Sequence, residues 1–171
     1  MDKIDKTLLK EIAGLHEIPQ GSFNIRKNGE SLARNSMKDI EILPKADKSG
    51  LDVFVKAGVK NKSVHLPVII TVGGLEETVY NDFHIGEGAE VTIVAGCGIY
   101  NCGPVDSVHD GVHRFYVGKG AKIRYIEKHY GFGQGRGAKI LNPVTDGTIA
   151  CVTMYLRLLL RVCREKNLKI M

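Results

Sequence analysis

The sequence predicts a mainly β protein built as a β-solenoid, and three observations carry the prediction. From Ile40 onward the chain reads as strand after strand. IEIL, LDVFV, SVHLPVIITV, EVTIVAG, RFYVG and KIRYIEKHY are short, rich in β-branched and aromatic residues, and separated by Gly, Asn and Asp. No helix-length periodic segment lies between them, which excludes an alternating βαβ layout. Finally, HIGEGAEVTIV at 84–94 realigns with YVGKGAKIRYI at 116–126, an offset of 32 residues. A repeat at such a period marks stacked strand-turn units, none of which buries its apolar face alone.

The elements follow in order. Ile4, Leu8, Ile12 and Leu15 fall on one helical face, with Gly14 and Pro19 as stop signals. In SFNIRKNGESLAR, Asn28-Gly29 sits between alternating residues and predicts a hairpin. The glycine pairs of the repeat, Gly86 with Gly88 and Gly118 with Gly120, are expected to take the positive φ of tight turns. GFGQGRG at 131–137 lacks the G-K-[ST] of a phosphate-binding loop and reads as a turn. After Thr145 the rhythm stops. Arg157, Arg161 and Arg164 then form one polar stripe on an otherwise apolar stretch, which predicts a C-terminal amphipathic helix. The expected organisation is a helical segment over 1–20, a partial β-helix core over 21–146 and a divergent basic tail over 147–171.

Charge distribution argues against nucleic acid. The chain has 171 residues and a net charge of +5, but residues 151–171 alone contribute +4. A nucleic-acid surface needs basic residues spread over the fold. MDKIDKTLLKEIAG is charged and amphipathic, unlike an export signal, and no stretch is long and apolar enough to span a bilayer. The expected location is therefore cytoplasmic, with no membrane partner. In a reducing compartment the four cysteines are thiols or ligands rather than disulfides.

The densest chemistry is CGIYNCGPVDSVHDGVH, residues 97–113. Cys97, Cys102, His109 and His113 are candidate metal ligands, since thiolate and imidazole are the donors a zinc site uses. His109 and His113 flank Asp110-Gly111, read here as a turn. In extended structure residues four apart also face one side, so the two imidazoles can converge. The bland alternative is a glycine-flanked Cys97 acting as a small buried apolar group, beside ordinary turn residues. His129, within Glu127-Lys128-His129-Tyr130, reads as an acid, a ligand or a satisfied strand-end histidine.

VYNDFHIGEGAEVTIVAGCGIYNCG, SVHDGVHRFYVGKGAKIRYIEKHYGFGQG and ILNPVT, in that order, resemble the SufB/SufD family of iron–sulfur cluster assembly proteins. FNIRKNG, DKSGLDVFVKAGVKN and HLPVIIT match its N-terminal half, so the resemblance spans roughly residues 17–146. It implies a right-handed parallel β-helix with helical flanks. It also implies a non-enzymatic scaffold role in a complex with the ATPase SufC and a second SufB/SufD-type subunit, a homodimer included. The complex would hold a transient iron–sulfur cluster, with none stably bound by this chain alone. Cys97, Cys102, His109 and His113 match the family's Gly-Cys-Gly and His-Asp-Gly-x-His blocks. The family's best-known assembly residues and SufC-binding helices lie beyond the point, near Gly147, where the resemblance ends. A truncation or frameshift there is one explanation for the tail. Two other readings stand beside the scaffold: a non-catalytic β-solenoid docking a partner or membrane through its tail, and a zinc-dependent hydrolase built on residues 97–113.

Overall fold

In the computed structural model, which describes residues 1–149 and 168–170, the 32-residue repeat is the length of one coil. Strand β6 (Glu76–Ile85) leads to β7 (Glu90–Tyr100), β8 (Ser107–Val117), β9 (Lys122–Phe132) and β10 (Lys139–Ile149). Each strand stacks in parallel on the strand two places earlier. Glu90 pairs with Lys122, Glu76 with Val108, and Ser107 with Lys139, and the register holds along each strand. The earlier strands β4 (Gly50–Val55) and β5 (Lys62–Ile70) extend the same stacks, pairing with β6 and β7. Each end of the solenoid carries irregular cover. A hairpin of β1 (Ser22–Lys27) and β2 (Glu30–Asn35) joins β5, β3 (Ile40–Pro44) pairs antiparallel with β4, and β11 (Leu168–Ile170) adds beside β10.

The result is a parallel β-helix of about three turns with two facing sheets, ordered β2-β1-β5-β7-β9 and β11-β10-β8-β6-β4-β3. Side chains alternate in and out with the pleat. Val53, Val55, Val64, Leu66, Phe83, Ile85, Val91, Ile93, Phe115, Val117 and Ile123 fill one end of the interior. Val68, Ile70, Cys97, Ile99 and Leu141 fill the other.

The predicted N-terminal helix is α1 (Lys3–Ala13). Asp2 and Asp5 form a reciprocal capping box, and Gly14 ends the helix at φ 67°. Its apolar face, with Leu8 and Ile12 fully buried, lies on the outer face of the β1-β5-β7-β9 sheet against Phe23, Ile25 and Ile69. The Asn28-Gly29 hairpin is present, with both residues at positive φ, as a two-residue primed turn requires. Two expectations change. Asp110-Gly111 is the middle of β8, not a turn. Asp110 bonds along the stack to Asn142 at 2.6 Å, while Gly111 faces the interior between two imidazoles, where a Cβ would lie 3.1 Å from His113 Nε2. The repeat glycines also differ in role. Gly88 and Gly120 have positive φ, whereas Gly86 and Gly118 do not. A Cβ on Gly118 would lie 2.7 Å from the Glu87 backbone N of the coil beneath, so this position is needed for close approach.

The strand β10 continues to Ile149, so the boundary expected near residue 147 falls inside a strand paired with β8. The predicted C-terminal amphipathic helix lies outside the described residues. No helix among the described residues is long and apolar enough to cross a membrane.

The two glycine roles have different costs. Gly118→Ala forces backbone apart between coils and is expected to destabilise by about 3 kcal/mol. Gly120→Ala, with open space around its Cβ, costs only the left-handed backbone term, about 1 kcal/mol. Denaturant unfolding of the two variants against wild type measures the difference, and the order should be as stated.

Candidate functional site: a buried thiol, imidazole and carboxylate cluster

Stacking brings together residues far apart in sequence. Cys97 on β7 pairs in register with His129 on β9, and Ala95 with Glu127. Across the interior, Asn81 on β6 pairs with His113 on β8, and Glu77 with His109. All of these side chains point into the helix. Cys97 is 5% exposed, Glu127 1%, His129 2%, His113 4% and His109 2%.

Ligand atoms of Cys97, Glu127 and His129 lie within 4.8 Å of one another. His113 Nε2 stands 3.4 Å and His129 Nε2 3.6 Å from the same oxygen, Oε1 of Glu127. Neither contact is a hydrogen bond. Both Glu127 oxygens, both His129 nitrogens, His113 Nε2 and the Tyr125 hydroxyl are buried without a hydrogen-bond partner among the described residues. Buried polar atoms are nearly always paired, and each orphan costs about 1–3 kcal/mol. Orphans gathered around one point therefore call for an explanation.

An aromatic wall closes one side of the cluster. Phe83 and Phe115 stack at 4.7 Å, and Tyr125 meets Phe115 edge-on at 5.1 Å and His113 at 5.8 Å. The other side runs through a chain of polar contacts. His109 Nδ1 lies 3.0 Å from Glu77 Oε1, and Arg26 Nε donates to Glu77 Oε2 at 3.0 Å. Arg26 and Asn81 line a crevice with Asn24, Leu66 and Val68 at the N-terminal coils.

The electrostatics follow from burial. Burial, with the carboxylates of Glu127 and Glu77 adding to it, pushes the Cys97 thiol well above its usual pKa. Burial lowers the His129 imidazole despite the opposing pull of Glu127. Burial raises the Glu127 carboxyl, but His113 and His129 outweigh it and hold the group below its ordinary value. Burial acts on Glu77 in the same direction, and His109 and Arg26 likewise overcome it. The cluster is thus a neutral thiol and a neutral imidazole beside an ionised carboxylate.

Of the four residues predicted from sequence, three enter this interior. Cys97 is in the cluster, His113 touches it, and His109 lies two inward positions from His113 along β8, bonded to Glu77. Cys102 does not join them, because it is exposed in the turn after β7. There the Tyr100 side chain, then backbone groups of Gln134 and Gly135, lower its thiol pKa. Sequence spacing missed Glu127 as a partner and left His129 undecided. The signal was the repeat itself, since one 32-residue step carries Cys97 onto His129. Asp106 and Asp110, the carboxylates within 97–113 that could serve a hydrolase as base, are not at the cluster: Asp106 accepts from the Ala138 backbone N–H at 2.7 Å, and Asp110 accepts from Asn142. Compared with family models, with curated proteins and with solved structures, the chain matches none.

The two thiols should react very differently. In chain treated with a chelator, an alkylating reagent is expected to modify Cys102 quickly and Cys97 only on unfolding. Peptide-resolved mass spectrometry separates these sites from Cys151 and Cys163.

Glu77→Gln breaks a buried pairing with Arg26 and His109 and should cost about 3 kcal/mol at neutral pH. Because the Glu77 pKa is lowered by folding, its contribution is present above the ordinary value of 4.5 and is lost as pH falls through the lowered value. Unfolding free energies of wild type and variant should therefore converge in acid, which denaturant titrations across pH will measure.

Proposed function

We propose that the chain is a scaffold subunit, or part of one, of an iron–sulfur cluster assembly complex of the SufB/SufD type. In this reading it works in the cytoplasm with a SufC-type ATPase and a second SufB/SufD-type subunit, which is a further copy of this chain or a relative. One observation carries the reading: a buried thiol set among imidazoles inside a β-helix, at the Gly-Cys-Gly block on which the chain resembles that family. Fold alone does not specify function, and β-helices serve many. A thiol in that position is what iron and sulfide chemistry requires, since soft thiolates select iron–sulfur species.

The scaffold handles the cluster as cargo. Cys97 and Cys102 lie in different settings, one interior and one exposed, so they do not offer a four-cysteine cage. Completing a cluster then needs ligands from a second subunit or from small thiols. The hydrolase reading loses ground because its bases, Asp106 and Asp110, are engaged elsewhere and the cluster is closed to a large substrate.

The test is to recover the tagged chain anaerobically from its own cells. A SufC-type ATPase and a SufB/SufD-type subunit should co-purify. With iron and sulfide the complex should form a cluster that the chain alone does not retain, and Cys97→Ser should abolish that formation. Recovery of the chain free of any such ATPase, with cluster enzymes undiminished when its gene is deleted, overturns the proposal.

A further inference from the structure

We infer that Cys97 Sγ, one oxygen of Glu127, His129 Nε2 and His113 Nε2 form an interior site for a single divalent first-row transition ion of the Fe(II) or Zn(II) kind. This goes beyond the scaffold reading and does not depend on it, because it concerns a resident ion and not a cluster in transit.

Four features support it. The donor set of one thiolate, two imidazoles and one carboxylate is that of a tetrahedral site for these ions. The spacing fits along the edges that meet at Glu127, while His113 stands outside the group of three and turns toward Cys97 and His129 on binding. With metal bonds of about 2.0–2.3 Å, tetrahedral ligands lie about 3.3–3.6 Å apart. The two imidazole nitrogens stand 3.4 and 3.6 Å from Glu127 Oε1, without forming hydrogen bonds but at the edge lengths of such a tetrahedron. Cys97 Sγ is within 4.8 Å of the Glu127 and His129 ligand atoms, so a small side-chain movement brings it to the same distance.

The third feature is the set of orphans. Glu127, His129 and His113 each present a buried atom that makes no hydrogen bond among the described residues, their mutual contacts being the 3.4 and 3.6 Å approaches to Glu127 Oε1. One ion satisfies all three at once. The last is charge. A thiolate and a carboxylate offset a divalent cation, and two neutral imidazoles add none, so the occupied site is neutral overall. Neutrality matters because an uncompensated charge in a dry interior is costly. Around the ligands, the Asn81 side-chain amide lies 3.4 Å from His113 Nδ1; with Nε2 on the metal Nδ1 carries the proton, and the amide turned to present its otherwise unpaired Oδ1 accepts it, as outer partners of metal-bound histidines do.

Cobalt(II), added to chelator-treated chain under anaerobic conditions, is the probe. One ion should bind per chain, with the intense thiolate-to-cobalt charge-transfer absorption of a tetrahedral site. A variant carrying C102S, C151S and C163S, in which Cys97 is the one thiol left, should keep that absorption. Cys97→Ser should lose it, and His129→Gln should weaken binding by about tenfold or more. Thermal melting in the absence of metal confirms that each variant is folded, and zinc should raise the melting temperature of wild type but not of Cys97→Ser. Wild-type chain that gives no charge-transfer band, or a band that survives Cys97→Ser and vanishes in C102S, overturns the inference. A positive result with no ATPase recovered from cells leaves the metal site standing and removes the scaffold.

Discussion

The in-register stacking of one coil on the next is the constraint from which the other features follow. Once Glu90 pairs with Lys122 and Glu76 with Val108, every inward position faces the inward position of the neighbouring coil. A coil cannot choose its interior alone. Phe83 must meet Phe115, and it does so by stacking at 4.7 Å. Backbone contacts at the turns are equally fixed, which is why glycines recur where one coil crosses closely over another. The outer surface inherits the rule as well: Phe54, His84 and Tyr116 stack into an exterior column at 4.6 and 4.8 Å.

A closed interior makes polar columns consequential. Water is excluded by two sheets, so a polar side chain pointing inward must find its partner on an adjacent or opposite strand. Glu77 does, through His109 and Arg26. Asn101, in the turn after β7, also does: its side chain donates to the carbonyl of Val105 at 2.7 Å and accepts from the backbone N–H of Gly103 at 2.8 Å. Glu127, His129 and His113 Nε2 find no hydrogen bond among the described residues, although they sit beside Cys97 in the same kind of environment a few ångströms away. The contrast matters more than the cluster's mere presence. A fold that satisfies these interior polar groups with its own atoms leaves the neighbouring set to something that is not protein.

Much of this was legible in the sequence. The repeat at 84–94 and 116–126 set the coil length, and the spacing of Ile4, Leu8 and Ile12 defined the face of α1. Alternation put His109 and His113 on one side of an extended strand, as observed. What failed was reading Asp110-Gly111 by local turn preference. Turn propensity is a statement about exposed chain, and here the glycine is kept because two imidazoles crowd its inward face. Cys102 was grouped with Cys97 because the two are near in sequence. Their surroundings part where β7 ends, since one belongs to a strand and the other to a turn. Glu127 and His129 needed the period applied to chemistry and not only to apolar residues, because their partnership with Cys97 is made entirely across coils.

The Gly-Cys-Gly block shows how one strand serves both the fold and the site. Cys97 faces inward, so its neighbours face outward, beneath α1. A Cβ on Gly98 would lie 2.9 Å from Leu8 Cδ2, and one on Gly96 would lie 2.9 Å from the Ile12 carbonyl oxygen and 2.7 Å from the Lys128 carbonyl oxygen. Any larger residue at either position would lift the helix off the sheet. With glycines there, Leu8 and Ile12 reach the strand backbone directly and are fully buried. The helix thereby covers the outer face of the β-strand segments that carry Cys97 and His129 on their inner face, while the parallel ladder between β7 and β9 sets their separation. Two glycines that read as flexibility in the sequence thus have the opposite effect in the fold. They let α1 clamp the strands whose opposite face bears the thiol and its partners, so that α1 supports the site without contributing a residue to it.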